Sequence, residues 1–243
     1  MEYAPEAPQV ALEPPRTSFD SGLALWGIAV AVGVVVALIV VVGVVALAFD
    51  LDADDNTILG VSLVAQALAN VVILGIVLAR VRSRGGGLDD FGFRPLDWAR
   101  AWWVVVAFVI GSFLTIAGFD VLVDAIGLDG LRPEGNLDDD IKDSTIVFLL
   151  SAVFAIVVAP ISEEMFFRGL LFGGFFQDFG LAVALLFSGL LFGLVHGQVT
   201  LLVPFTIIGC YLALAYVYTR SLWGSIACHL TFNALGIIGL ALS

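Results

Sequence analysis

Residues 145–176 read TIVFLLSAVFAIVVAPISEEMFFRGLLFGGFF. The run is apolar almost throughout, yet Glu163, Glu164 and Arg168 stand inside it. A charge at membrane depth costs from ~3 to above 10 kcal/mol, which makes intramembrane ionisable residues functional candidates by default. On a helix, Glu164 and Arg168 are four apart, share a face and can pair. Glu163 is turned about 100° away and faces something else. The stretch predicts a membrane-spanning helix with one structural carboxylate and one available carboxylate.

Composition supports the membrane reading. The chain has 243 residues, of which 60% are hydrophobic and only 13% charged. Its mean hydropathy is +1.08. A soluble domain is nearer half apolar, with about a quarter of its residues charged. The expected fold is all-α: a polytopic transmembrane helical bundle whose spans fill most of the chain. The net charge of −12 does not indicate nucleic-acid binding, and no nucleic-acid partner is expected. The acids cluster at Asp50, Asp52, Asp54 and Asp55 and at Asp138, Asp139, Asp140 and Asp143, while Lys142 is the single lysine. Such a surface suits a high-salt environment. Cys210 and Cys228 fall in apolar segments and read as small buried hydrophobes, with no disulfide framework.

Residues 1–20 carry Pro5, Pro8, Pro14 and Pro15 among scattered charges and read as a disordered lead-in. They are not a signal peptide, because the apolar run that follows is too long and no small-residue cleavage site stands out. About seven spans follow. Residues 21–144 hold three, at 23–49, 58–79 and 98–126. Residues 145–242 hold four, at 145–176, 180–198, 201–219 and 222–242. Trp98, Trp102 and Trp103 anchor the third at an interface. The connection between the second and third spans holds Arg80, Arg82, Arg84, Arg94 and Arg100, and Arg220 lies between the last two spans. The positive-inside rule makes these connections cytoplasmic. The N-terminus is then cytoplasmic, the C-terminus is external, and the protein is expected in the cell membrane.

The only histidines are His196 and His229, and both lie in apolar spans. Asn233 follows His229 by four residues and shares its face. Glu163, His196, His229 and Asn233 each need partners inside the membrane, and the least costly arrangement is to face one another. For them to meet, the fourth helix must run on to about Phe176, before a turn at residues 177–180. At 1.5 Å per residue this puts Glu163 roughly 20 Å and His196 roughly 24 Å above that turn. Asn233 reads either as a hydrogen-bond staple between helices or as a donor aimed at an oxyanion. Gly169, Gly173, Gly174, Gly189 and Gly193 read as close helix packing. No HExxH, GxSxG, P-loop or CxxC pattern is present.

Glu163, Glu164 and Arg168 (EExxxR), Phe192 and His196 (FxxxH), and His229 and Asn233 (HxxxN) occur in that order in hydrophobic spans. In this the chain resembles the CAAX protease and bacteriocin-processing family of intramembrane endopeptidases, over about residues 145–242. The resemblance implies a catalytic core in the last four spans. It implies that Glu163 activates a water with His196, that His229 and Asn233 orient or stabilise the oxyanion, and that Glu164, Arg168 and Phe192 support the site. The family is commonly called a metalloprotease family. A zinc ion held by Glu163, His196 and His229 and a metal-free, glutamate-activated water are both open. The implied substrate is a membrane-associated protein or peptide, in CAAX-type or leader-peptide processing. The residues alone also admit a proton- or ion-coupled transporter, which would show inverted repeats, or a non-catalytic scaffold or immunity protein. A hydrolase in a membrane also needs a water-accessible cavity, expected here to open to the cytoplasm.

Overall fold

The computed structural model describes residues 17–50, 56–133 and 144–242. All regular structure among them is helical: α1 (Ser21–Phe49), α2 (Asn56–Ser83), α3 (Trp98–Ala125), α4 (Thr145–Val153), α5 (Ala159–Glu164), α6 (Gly173–Val195), α7 (Val199–Thr219) and α8 (Leu222–Leu242). Side chains start several of them. Asp20 accepts from Leu23 N at 2.6 Å at the head of α1, and Asp97 accepts from Ala99 N at 3.1 Å at the head of α3. Each satisfies a donor that the first helical turn leaves free. Arg80 and Arg82 close α2, where cations favour the helix dipole.

Six helical stretches are long and apolar enough to cross a membrane, and the fourth, Thr145–Val195, has 51 residues. A straight helix of that length would be roughly 75 Å long, more than twice the ~30 Å hydrocarbon core. It turns back at Gly180, whose φ of 79° and ψ of −177° are open to glycine and to few other residues. The two arms pack antiparallel. The rings of Phe175 and Phe187 lie 5.5 Å apart, those of Phe167 and Phe192 lie 5.4 Å apart, and Ser188 Oγ donates to Phe167 O at 3.1 Å. Counting its two arms separately, the described residues make seven passes, with the fourth arm continuing to the turn.

That fourth arm is not a uniform α-helix. Residues Phe154–Val158 and Met165–Phe172 are π-helical and bracket α5. Pro160 has no N–H and its ring crowds the carbonyl four residues back, which opens the ladder at the first of these segments. Ser162 Oγ bonds the carbonyls of Val158 and Ala159 at 2.8 and 2.9 Å.

One end of the bundle gathers the arginine-bearing connections. Ser21 N donates to Asp178 beside the Gly180 turn at 2.8 Å, and Arg84 lies 3.7 Å from Asp20. Leu222 N donates to Gly92 O at 2.8 Å, and Ser221 Oγ donates to Arg94 O at 2.6 Å. The opposite end, called here the far end, carries the α1–α2, α3–α4 and α6–α7 connections and the end of α8. α7 is the core helix, with Leu212, Ala213 and Tyr216 buried. α1 turns most of its Val-rich surface outwards.

Of the disordered lead-in expected as far as Asp20, the first sixteen residues lie outside the described ones. Phe19 is buried with its ring 4.9 Å from that of Phe91. Gly174 gives room for this, since a Cβ there would come within 2.5 Å of Asp20 O.

Candidate active site

Arg168 is fully buried, and three neighbours answer its charge. Nη1 donates to Glu164 Oε1 at 2.9 Å, and Nη2 donates to Gly209 O on α7 at 2.9 Å. The guanidinium also lies 4.5 Å from the centre of the Phe192 ring. Glu164, also fully buried, serves a second partner: His229 Nδ1 donates to Oε1 at 3.0 Å. One carboxylate thus ties the fourth arm to α7, through Arg168, and to α8. A buried charge is tolerable only when paired and hydrogen-bonded in this way.

With Nδ1 committed to Glu164, His229 presents Nε2 to the other carboxylate, 3.9 Å from Glu163 Oε2. A second partner that fixes one ring nitrogen selects the tautomer and aims the other. His196 is held in the same manner, its Nδ1 donating to Phe192 O at 2.7 Å, with the ring of Phe205 4.5 Å away. His196 caps α6 instead of lying within the span: the helix ends at Val195, and Gly197 turns the chain with φ of 71°.

Glu163, His196, His229 and Asn233 all border one cavity of about 570 Å³. Phe192, Phe205 and Ile208 form part of its apolar wall. Glu163 Oε2 is buried and accepts no hydrogen bond from the described residues. Asn233 Nδ2 donates to Ala155 O at 2.7 Å, inside the first π-helical segment. It staples α8 to the carbonyl that the irregular turn frees, and the amide keeps a second N–H.

Glu163, His196 and His229, named from sequence as ligands should a zinc ion be held, do not form a ready three-ligand group in this structure. Among the described residues no three His, Cys, Asp or Glu side chains are disposed to share a metal ion. No step below runs through a metal.

Sequence reading missed the backbone half of the site. The carbonyls of Gly209, Ala155 and Phe192 hold Arg168, Asn233 and His196, and no residue type announces that role. It also missed Ser151 and Gln66, which border the cavity. Both are polar residues in apolar spans, a signal that was available.

Fold and site together define a polytopic helical membrane protein with a buried carboxylate–imidazole centre. Residues 145–235 match the family model "Rce1-like: Type II CAAX prenyl endopeptidase Rce1-like". A protein of Bacillus subtilis (strain 168) described as "Putative membrane peptidase YdiL" is 30% identical over 180 residues, which cover 72% of this chain and 69% of that protein. No solved structure matches the chain significantly. The chain belongs to the Rce1-like family of type II CAAX prenyl endopeptidases.

Proposed function

We propose that the protein is an intramembrane endopeptidase that hydrolyses peptide bonds of membrane-associated substrates with a water activated by Glu163. One observation carries this reading. The Glu164–Arg168–His229 network closes through Glu164 Oε1 without Glu163, which leaves a second, half-buried carboxylate at a cavity wall, 3.9 Å from an imidazole nitrogen. A carboxylate placed so, with room for water and a peptide backbone, suits a general base.

In this mechanism Glu163 takes a proton from water as the oxygen attacks the amide carbon, and returns it to the amide nitrogen as the oxyanion re-forms the carbonyl and the C–N bond breaks. The second N–H of Asn233 faces the oxyanion that forms, the developing charge that preorganised donors stabilise, and His229 Nε2, an acceptor in the tautomer whose Nδ1–H is given to Glu164, orients the hydroxyl that the water becomes. His196 holds the water from the α6 side. Glu164 is a positioning residue that fixes the ring of His229, and Arg168 holds Glu164 in place. Family membership and the peptidase name of the relative support a protease of the membrane.

Cleavage of a panel of fluorogenic membrane peptides by purified protein tests this. Glu163→Gln is expected to lower the rate by about 10²–10⁴-fold, the usual contribution of a general base. His229→Ala should lower it too, and a chelator should leave the wild-type rate unchanged. Equal cleavage by wild type and Glu163→Gln would sink the proposal.

A further inference from the structure

The cavity continues well past the catalytic groups. On the fourth arm Ser151, Ala155, Ala159 and Glu163 all border it, at steps of four residues. Side chains four apart share a helix face, so these four form one track. The middle of the track carries only methyl groups, and a polar group stands at each end. α8 borders the same cavity with Gly236, Ile237 and Leu240, and α2 with Leu63 and Gln66. Among the described residues, the lining side chains other than the catalytic ones are apolar except for those of Ser151 and Gln66.

Ser151 differs from the other hydroxyls of these helices. Thr115, Ser162, Thr206, Thr219 and Thr231 each donate to the carbonyl four residues before, at 2.7–2.8 Å. Ser151 is only 1% exposed, yet its Oγ has no hydrogen-bond partner among the described residues. Ser112 Oγ on α3 is also without one, but Ser112 lies outside the cavity lining. A buried polar group is normally hydrogen-bonded. An orphaned one at a cavity wall is a free hydrogen-bonding group for whatever enters. A hydroxyl both donates and accepts, as does the amide of Gln66, and a polypeptide backbone offers both kinds of partner. An acyl chain offers neither.

We propose that Ser151, with Gln66, binds the substrate's backbone about five residues from the bond that Glu163 attacks. This rests on the peptidase reading above. Ser151 and Glu163 are twelve residues apart, roughly 18 Å at helical rise. An extended polypeptide advances ~3.3 Å per residue. The wall between them meets apolar side chains, so the segment held there is apolar. Its backbone groups have no water in such a track, and the two polar side chains supply partners in its place.

A cleaved peptide of the panel above, shortened stepwise from each end, tests this on the full chain in detergent. With the complete peptide, Ser151→Ala and Gln66→Leu should each raise KM about 2- to 10-fold, the worth of one hydrogen bond, with little change in kcat. The effect should vanish once the end occupying the track has fewer than about five residues. A KM ratio independent of peptide length, or the same KM for wild type and both variants, would overturn the proposal. Ser151 Oγ has no bond to lose, so Ser151→Ala should melt no lower than wild type. A lower midpoint would assign the hydroxyl to the fold instead. Direct binding separates this proposal from the peptidase reading. A fluorescein-labelled alternating Leu-Ala peptide should bind Glu163→Gln about 2- to 10-fold more weakly when Ser151→Ala is added. Equal affinities would overturn the subsite. If Glu163→Gln cleaves as fast as wild type, the peptidase reading fails and the binding comparison still decides this one.

Discussion

Glu163 and Glu164 are neighbours in the chain with opposite surroundings, and exchange of a single atom in each should separate them. Glu164 Oε1 accepts from both Arg168 and His229 at full burial. Glu164→Gln leaves the guanidinium without its counter-charge, and breaking a buried pair in this way costs about 3–5 kcal/mol. The thermal midpoint in detergent should fall well below that of wild type. Glu163 Oε2 has no hydrogen bond to lose, so Glu163→Gln should leave the midpoint near the wild-type value. Arg168→Lys belongs with Glu164→Gln: an ammonium cannot reach Glu164 and Gly209 O together while stacking on Phe192. Equal midpoints for Glu163→Gln and Glu164→Gln would contradict this division of labour.

Among the helices, α6 and α7 meet through small residues, and their approach sets where Gly209 O and Phe192 sit around Arg168. A Cβ on Gly189 would come within 2.8 Å of Thr206 O, and one on Gly193 within 2.7 Å of Leu202 O. Gly189→Val should force the pair apart at a cost of about 1–3 kcal/mol, the usual range for overpacking. It should lower the yield of folded protein even though the site residues are intact. Asn233→Ala leaves Ala155 O without its donor, which costs about 1–3 kcal/mol for an orphaned buried group, and unfolding in detergent would read it. The helices were legible in the sequence because apolar length and loop charge mark spans directly. The glycine packing and the Glu164–Arg168 pairing were legible from spacing. The π-helical segments were not, although Pro160 is the one residue in the fourth arm that signals a broken ladder. The end of α6 at Val195 was also missed: Gly197 supplies the turn, and an apolar run on both sides hides it.

In the whole molecule, seven passes bring three distant stretches to one cavity. The turn at Gly180 matters most, since it lets Glu163 and the end of α6 share the far half of the bundle. The proximity of Glu163, His196, His229 and Asn233 could be argued from the cost of leaving each without a partner, before any coordinates. The measurement that bears most directly on the central claim is made on one preparation of Glu163→Gln: its thermal midpoint and its rate on a membrane peptide that the wild type cleaves. A wild-type midpoint with the rate reduced about 10²-fold or more is the predicted result, as expected for loss of a general base from an intact site. A rate equal to wild type, or a rate lost only in step with the fold, would contradict it.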